Sequence, residues 1–483
     1  MSVVTRIAPS PTGDPHVGTA YQALFNSVFA RQHAGRFIVR LEDTDRSRYN
    51  AASEGRILDM LDWLATVWDG LIPDASPRRQ DEFGPYIQSE RAGLHRQYAQ
   101  QLLESGAAYR AFDTPEELDV RRKAAEARKD SFQGYDRRDR ALSRAESDRR
   151  AERGEPFVIR LATPLDGQTV VHDRLRGEVV FQNADLDDKV LLKRDGFPTY
   201  HLAAMVDDHL MRVTHVIRAE EWLTSTPIHV LILRALGWQE PEWIHTPWLL
   251  SAGGKKYSKR RGDPSVEDFR RMGILPESLL NYLGMMGWSM PDGSEVFGPA
   301  EMVEHFTWER VSLGGSTFDV TKLKWLNGKY VREVLSLETV AQRLHAFNAE
   351  YHSAPAVPND AYFRAVVAMM LPRFETLSEF WEKTAYFFSE EFPLTDKAAQ
   401  LIEDGRALLP RVRDALAALP DFGHASTEAT LRALADELGQ RPGKLMQPLR
   451  AAIAGTSESP GMFEMLEALG QQRVLARIGR ALN

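Results

Sequence analysis

The sequence predicts an α/β domain that is split by an inserted α+β domain and followed by an all-helical region. A strand, a glycine-containing loop and a helix open the chain, and the alternation of strand and helix returns after residue 205. The C-terminal part has helical spacing with few β-branched runs. The chain has 483 residues, 43% of them hydrophobic, which is more than one core usually organises, so several domains are expected.

The pattern of strands, loop and helix in residues 1–85 predicts the first half of a Rossmann-type nucleotide-binding domain. Residues 3–8 have the pattern of a short strand, and the loop Pro9–Val17, rich in Pro and Gly, separates it from a helix expected at about Thr19–His33. A second strand is expected at Arg36–Leu41. These elements form a βαβ unit, in which the N-terminus of the helix can bind phosphate.

Residues 86–205 interrupt this alternation and predict the inserted domain. Its expected elements are a helix over residues 90–105, a charged and helix-prone stretch over 113–153, and strands at Phe157–Leu161 and Glu178–Phe181. The alternation resumes in residues 206–245, with a strand at Val213–Arg218 and a helix at Thr226–Leu236. We therefore expect 206–245 to be the second half of the nucleotide-binding domain.

The chain beyond Phe318 predicts an all-helical region. Its Ala, Leu, Arg and Glu residues recur with helical spacing, and proline interrupts the pattern several times. Because proline ends or kinks a helix, we expect helices of ordinary length in two small bundles. The segments with the clearest helical spacing are Leu401–Leu419, Thr427–Leu438 and Gly461–Leu482.

Composition limits the possible functions. The chain has no cysteine, which excludes disulfides, thiolate nucleophiles and cysteine-ligated zinc. No apolar run approaches the length that spans a bilayer, so we expect a cytoplasmic protein without a membrane partner. The formal net charge of −8 argues against indiscriminate coating of nucleic acid, but the basic stretches 121–160 and Gly253–Gly262 could still bind polyanions locally.

Two motifs carry the chemistry. The loop Pro9–Thr19 contains glycines that let backbone approach a ligand, and its His16 and Thr19 can donate to phosphate oxygens at a helix start. The segment Lys255–Arg261 reads Lys-Lys-Tyr-Ser-Lys-Arg-Arg, follows two glycines and lies about 240 residues further on. A mobile cationic loop of this kind can close over a triphosphate and stabilise charge at the phosphorus under attack.

Together these motifs resemble the two signatures of class I aminoacyl-tRNA synthetases, with His16–Thr19 in the place of HIGH and Lys256–Arg260 in the place of KMSKS. The segments that further resemble bacterial-type glutamyl-tRNA synthetases are Arg6–Gly13, Leu41–Asp45, Val206–His209, Arg218–Trp222 and Val311–Gly315. This resemblance covers nearly the whole chain. It implies ATP-dependent activation of L-glutamate to glutamyl-adenylate and transfer of the glutamyl group to the 3′-terminal adenosine of tRNA-Glu.

The pocket for glutamate is also constrained by charge. A substrate with two carboxylates and one ammonium needs two cationic donors and one anionic acceptor, and arginine suits carboxylates because it binds them with two parallel hydrogen bonds. The resemblance assigns the carboxylates to Arg6 and Arg218 and the ammonium to Glu42. It places Ala8, Ser10 and Tyr200 along the same pocket.

The resemblance also assigns the nucleotide and the catalytic groups. The residues implied for ATP are His16, Thr19, Glu221, Lys256 and Lys259, and the catalytic groups among them are His16, Thr19, Lys256 and Lys259. No protein nucleophile is needed, because glutamate attacks the α-phosphate directly and catalysis depends on positioning and charge stabilisation. Mg²⁺ is expected to arrive with ATP, and no resident metal is expected, zinc included.

The remaining segments are implied to contact tRNA. Residues 86–205 would bind the acceptor end, 246–335 would carry the KMSKS loop and contact the stem, and 336–391 and 392–483 would be two helical anticodon-binding domains. The individual residues implied for tRNA are Arg48, Trp325 and Arg373. Arg373 leads us to expect discrimination against tRNA-Gln, because arginine has only donors and suits the acceptor-rich edge of cytosine. A monomer is expected.

Four alternatives remain. A glutaminyl-tRNA synthetase shares the class I core but ends in β-barrel anticodon domains, which the helical tail disfavours. A non-discriminating glutamyl-tRNA synthetase would lack the preference ascribed to Arg373. A glutamyl-queuosine-type enzyme would lack the tail altogether, and a nucleotide- or RNA-binding protein without transferase activity would have no use for Arg6, Glu42 and Arg218 together with a Lys-Ser-Lys loop.

Overall fold

The chain forms two compact units in the computed structural model. The model describes residues 2–13, 15–66, 81–129, 134–258, 261–351, 357, 360–457 and 459–483. Unit 1 comprises residues 1–267 and 279–319, and unit 2 comprises residues 268–278 and 320–483. The six-segment division expected from the sequence is finer than these units and stays a prediction. None of the described helices is long and apolar enough to cross a bilayer.

The strands that the structure describes all belong to unit 1. They are β1 (Val4–Ile7), β2 (Arg36–Val39), β3 (Ala108–Ala111), β4 (Val158–Leu161), β5 (Gln168–Asp173), β6 (Gly177–Gln182), β7 (Val190–Leu192), β8 (His215–Ala219), β9 (Glu242–Thr246), β10 (Leu249–Leu250) and β11 (Ser316–Thr317). β1 pairs with β2 and β8 pairs with β9, both in parallel. The backbone N–H of Thr214, next to β8, donates to the Val4 carbonyl of β1 at 3.0 Å, so a hydrogen bond joins the two predicted halves of the α/β domain.

The helices that precede the tail are α1 (Val17–Gln32), α2 (Ala51–Ala65), α3 (Ala92–Glu104), α4 (Pro115–Arg128), α5 (Arg144–Glu152), α6 (Tyr200–Leu210), α7 (Thr226–Ala235), α8 (Val266–Arg271), α9 (Pro276–Met285) and α10 (Pro299–His305). Helices α8 and α9 have residues in both units. Helix α1 connects β1 to β2, and its residues are buried on most of its circumference. That burial fits a parallel sheet whose faces are covered by helices.

Part of the insertion continues the sheet of the α/β domain. Strands β3, β4 and β7 form a separate antiparallel sheet, as an inserted domain would. The β5–β6 hairpin instead joins β9 through a parallel pairing of Asp173 with Trp243, which gives the order β6-β5-β9-β8. One core contains Leu161 from β4, Met205 from α6 and Val216 from β8. The hairpin therefore brings an inserted segment close to the C-terminal ends of β8 and β9.

Unit 2 is helical throughout its described residues after Val320. Its helices are α11 (Val320–Lys329), α12 (Leu337–Tyr351), α13 (Ala361–Met370), α14 (Leu377–Phe388), α15 (Asp396–Asp404), α16 (Leu409–Ala417), α17 (His424–Glu437), α18 (Pro442–Ala454), α19 (Met462–Leu469) and α20 (Gln471–Leu482). A short π-helix, Tyr330–Val334, extends α11. The helical region expected beyond Phe318 is confirmed.

Two of the tail segments with helical spacing are each divided in the structure. Within Leu401–Leu419, one helix ends at Gly405. A Cβ atom at this position would lie 2.2 Å from the ring of Pro448. Gly461–Leu482 is broken at Gly470, which has a φ of +75°. Both breaks depend on the local backbone and on a packing partner, and a continuous helical periodicity in the sequence does not reveal them.

We predict that Gly455→Ala destabilises unit 2 more than Gly439→Ala. Both glycines end helices with positive φ, 72° and 58°, which costs an L-residue about 1–2 kcal/mol. A Cβ at Gly455 would also lie 2.3 Å from the Pro393 carbonyl, whereas a Cβ at Gly439 meets nothing within 4 Å. Relieving that overlap should add about 1–3 kcal/mol. Thermal unfolding of the two variants measures the difference, and equal midpoints would contradict it.

Candidate active site

The carboxyl ends of the parallel strands border a cavity of about 970 Å³ in unit 1. Ala8–Ser10 follow β1, Glu42 follows β2 and Pro247 follows β9, and all of them line this cavity. Crevices at the carboxyl ends of parallel strands are the usual ligand sites of open α/β sheets. The fold therefore gathers side chains from distant parts of the sequence into one place.

Most of the site residues expected from the sequence line this cavity. They are Arg6, Ala8, Ser10, His16, Thr19, Glu42, Arg48, Tyr200, Arg218, Glu221 and Lys256. Lys259 lies outside the described residues. Trp325 and Arg373 belong to unit 2.

The cavity has further lining residues to which the sequence analysis assigned no individual role. They include Gln22, Gln88, Lys193, Trp222, Trp248 and Tyr257. Gln22 lies three residues after Thr19, on the same face of α1, so helical spacing could have identified it. Gln88 and Lys193 both lie within residues 86–205, the expected insertion. No local sequence pattern connects them with the other lining residues.

Arg218, on β8, is only 5% exposed and has neutral acceptors for all five of its N–H groups. The acceptors are His245 Nε2 for Nε (3.1 Å), Tyr200 Oη (3.0 Å) and His229 Nδ1 (3.2 Å) for Nη1, and Thr226 Oγ1 (2.9 Å) and the Trp222 carbonyl (3.4 Å) for Nη2. None of these acceptors is a carboxylate. The positive charge of Arg218 is therefore held without a direct counter-ion.

Three histidines near Arg218 are neutral, of which His229 and His245 are buried and His201 is half-buried. Burial lowers the pKa of His201 and of His245 to about 4 each, and burial together with Arg218 holds the pKa of His229 well below its usual range. His229 accepts from Arg218 at Nδ1, so its Nε2 carries the proton toward His201 Nδ1, 3.2 Å away. Since Arg218 contributes to all three shifts, its charge and the neutrality of the rings support each other.

Arg6, unlike Arg218, is paired directly with a carboxylate. Its Nε and Nη2 donate to the two oxygens of Asp208 at 3.1 and 3.2 Å. Arg40 donates to Asp208 at 2.7 Å and to Glu42 at 2.9 Å, and so bridges the two acids. Burial alone would raise the pKa of Asp208, but Arg6 and Arg40 outweigh it, so the pKa of this carboxyl is lowered.

The pKa of Glu42 shifts in the opposite direction to that of Asp208. Burial raises the pKa of its carboxyl more than Arg40 lowers it. A cation that entered the cavity next to Glu42 would favour the charged form of this side chain.

The buried arginines differ in their partners. Arg6, Arg40 and Arg91 donate directly to buried carboxylates, those of Glu42, Asp207 and Asp208. Arg218 makes no such pair, because the neutral ring of His245 separates it from the buried carboxylate of Asp173. An anionic ligand in the cavity could therefore pair with Arg218.

The N-terminus of α1 opens into the same cavity. His16 is the N-cap, and its Nδ1 accepts from the N–H of Gly18 at 2.9 Å. The imidazole packs edge-on against the Tyr257 ring, with centroids 5.5 Å apart, and burial together with Lys256 lowers its pKa. The ring thus connects the first motif to the second. The N-terminus of a helix suits a phosphate group.

Lys256 forms an ion pair with Glu221 in this structure. Both side chains line the cavity, and both were expected to contact the nucleotide. Burial and the charge of Arg261 lower the pKa of Lys256. Each of these two groups therefore has the other as its counter-ion in this structure.

Within the described ranges, no group of three or more His, Asp or Glu side chains is arranged to hold a metal ion. Asp207, one of the paired acids in the sequence, accepts from Arg91 at 2.6 Å and contacts His95 at 2.9 Å. Asp43 accepts from the backbone and hydroxyl of Ser89. Their oxygens are occupied by protein donors, as in an ion-pair network.

Comparison with known proteins agrees with this geometry. Residues 2–325 match the family described as tRNA synthetases class I (E and Q), catalytic domain, and residues 337–482 match an anticodon binding domain. The glutamate–tRNA ligase of Deinococcus radiodurans is 53% identical over 99% of this chain and 98% of its own length, and one from Thermus thermophilus is 53% identical over 99% and 100%.

A solved structure is similar over the same extent. The crystal structure of a glutamate tRNA ligase from Elizabethkingia meningosepticum in complex with its amino acid superposes with a TM-score of 0.87, at 34% identity, over 100% of this chain and 99% of that one. The chain belongs to the class I tRNA synthetases of the glutamate and glutamine group.

Proposed function

We propose that this protein joins L-glutamate to tRNA-Glu, using ATP to form glutamyl-adenylate and then transferring the glutamyl group to the 3′-terminal adenosine. The observation that carries the proposal is Arg218, a buried cation at the cavity wall with only neutral partners. Relatives similar to this chain over its full length are named glutamate–tRNA ligases. Glutamine, which has no charge on its side chain, would leave that cation without a counter-ion.

The position proposed for glutamate follows from the N–H donors of Arg218 that its side-chain carboxylate can bind in place of their present acceptors. Tyr200 and Trp222 line the cavity and accept from the two terminal nitrogens of Arg218, the second through a long bond of 3.4 Å. A side-chain carboxylate can replace both acceptors and form two parallel hydrogen bonds. Arg6 then faces the α-carboxylate, and the ammonium lies next to Glu42. Ala8 and Ser10 line the pocket between these groups and the nucleotide.

ATP is proposed to bind with its phosphates at the N-terminus of α1, next to His16 and Thr19. The nucleotide separates Lys256 from Glu221, after which Lys256 can neutralise phosphate charge and Glu221 can accept from the nucleoside. Lys259 belongs to the same loop, and we propose the same role for it. Mg²⁺ enters with ATP as part of the substrate complex. Catalysis then consists of alignment and stabilisation of charge at the α-phosphorus.

We propose that tRNA contacts both units. Arg48 lies at the cavity rim, 69% exposed, with Asp45 as its partner, and Trp325 is half-buried on α11 beside Lys329. Arg373 is exposed in a short 3₁₀ turn, Leu371–Arg373. In this proposal Arg48, Trp325 and Arg373 bind tRNA, and the enzyme acts as a monomer in the cytoplasm.

The exposure of Arg373 supports a base-reading role for this side chain. An exposed guanidinium presents only donors, which suits the acceptor-rich pairing edge of cytosine and not the donors of guanine. Discrimination against tRNA-Gln is therefore part of the proposal.

We predict that Arg218→Ala lowers charging of tRNA-Glu by roughly 100-fold or more, because the site then lacks the cation for the side-chain carboxylate. Charging assays with purified tRNA-Glu and tRNA-Gln, each with glutamate and with glutamine, measure this and the wild-type specificity. Arg174→Ala is the matched control, since Arg174 is 37% exposed and pairs with Glu242. Wild-type charging by Arg218→Ala would remove Arg218 from the pocket.

We predict that exchange of pyrophosphate into ATP stays near background with glutamate alone and rises when tRNA-Glu is added. Lys256 pairs with Glu221, so these two groups must separate before both can contact ATP, and tRNA is expected to favour the separated arrangement. Periodate-oxidised tRNA-Glu, which binds without accepting the glutamyl group, should also support exchange. Strong exchange without any tRNA would be evidence against this requirement.

We predict that Arg373→Gln narrows the preference for tRNA-Glu over tRNA-Gln by about 1–3 kcal/mol, or roughly 5- to 150-fold, the scale of one base-edge contact. Glutamine can both donate and accept, so it no longer rejects guanine. Comparative charging rates of the two tRNAs give the ratio. Arg343→Gln is the control because Arg343 already pairs with Glu277 at 3.0 Å. Equal charging of both tRNAs by the unmutated protein would defeat the prediction.

A further inference from the structure

The hydrogen bonds behind Arg218 continue into a second layer of side chains. Arg218 Nε donates to His245 Nε2 at 3.1 Å, and His245 Nδ1 lies 2.6 Å from Asp173 Oδ2. The side chains of His245 and Asp173 are fully buried. Neither is among the described residues that line the cavity, so neither can touch the substrate directly.

Asp173 determines which nitrogen of His245 carries the proton. Its Oδ1 accepts from the backbone N–H groups of Leu175 and Arg176, both at 3.0 Å, and its Oδ2 accepts from the backbone N–H of His245 at 3.0 Å. A carboxylate surrounded by these donors remains an acceptor toward the ring. His245 Nδ1 must then be protonated, which leaves the lone pair on Nε2 for Arg218.

Arg6 provides an internal comparison. Its Nε donates to Asp208 at 3.1 Å, the same distance at which the Nε of Arg218 donates to His245. In the first case the acceptor is a carboxylate, which neutralises the guanidinium. In the second case a neutral imidazole separates the guanidinium from Asp173. Burial lowers the pKa of His245 to about 4, so the ring stays uncharged at neutral pH.

We propose that His245, with its tautomer set by Asp173, is a positioning residue that orients Arg218 for the side-chain carboxylate of the amino acid and leaves its charge available. This inference rests on the proposed function, because it takes Arg218 as the group that selects glutamate. Asp173 belongs to the β5–β6 hairpin of the insertion. The hairpin thereby supports amino-acid selection from within the same sheet as Arg218.

The first test compares two substitutions of His245. His245→Leu removes the acceptor, and we expect the KM for glutamate to rise roughly 5- to 150-fold, the range for a buried charged donor left unpaired. The KM for ATP should change less than about 2-fold, since His245 does not reach the nucleotide site. His245→Gln restores an acceptor at the position of Nε2 and should recover most of the loss. Charging assays at saturating tRNA measure both constants.

His215→Leu is the matched control, because His215 is half-buried on the same strand as Arg218 and pairs with Glu242. It should leave the KM for glutamate unchanged. A normal KM for glutamate in His245→Leu would overturn the proposal, as would a His245→Gln variant no better than His245→Leu. A parallel rise of the KM for ATP would also overturn it, because the effect would then be a general loss of structure.

The second test uses the unmutated protein and does not depend on folding of the variants. In ¹⁵N-histidine-labelled protein at about pH 7, the His245 ring should show a protonated Nδ1 and an unprotonated Nε2. The signal is assigned by its disappearance in His245→Gln. A protonated Nε2 would overturn the proposal. Failure of the wild type to charge tRNA with glutamate would instead count against the proposed function, since the tautomer is measured without substrate.

Discussion

The site depends on how buried guanidinium groups are neutralised at the carboxyl ends of a parallel sheet. Removing a charge from water is costly unless partners replace the lost solvation. Arg6 and Arg40 share Asp208, and Arg40 also pairs with Glu42, so these charges are compensated within the protein. Arg218 has hydrogen bonds in place of charges. Ion-paired arginines are thus distinguished from Arg218, which is held by neutral acceptors and is the group that the proposed function pairs with the substrate carboxylate.

The cost of burying charge also accounts for the contacts between the insertion and the α/β domain. Arg91, at the start of α3, pairs with Asp207 on α6, and Asp173, at the end of β5, binds His245 on β9. Both contacts link inserted segments to the α/β domain by buried ion or hydrogen-bond pairs. Asp207 and Asp173 each need several hydrogen-bond donors to remain buried. These donors come from the insertion and from the α/β domain. A segment that interrupts the α/β domain in the sequence thus supplies partners for its buried polar and charged groups in space.

The two motifs are coupled through small contacts. His16 caps α1 and contacts the backbone of Tyr257, and its ring packs edge-on against the Tyr257 ring with centroids 5.5 Å apart. Lys256, the residue before Tyr257, pairs with Glu221. The binding of a triphosphate next to Lys256 would replace a protein counter-ion with a ligand counter-ion.

The βαβ opening and the helical tail could be predicted from the chain alone, because they follow from local periodicity. Short motifs and the family resemblance that they carry pointed to a part of the residues that line the cavity. The pairing of the β5–β6 hairpin with β9 could not be predicted, since pairing between distant strands leaves no local trace. Folding also settled which arginine is neutralised: Arg6 meets Asp208, whereas Arg218 meets His245 and other neutral acceptors. A charge carries no signature of its partners in the sequence, because electrostatic interactions depend on distance in space and on burial, and both arise only when the chain has folded.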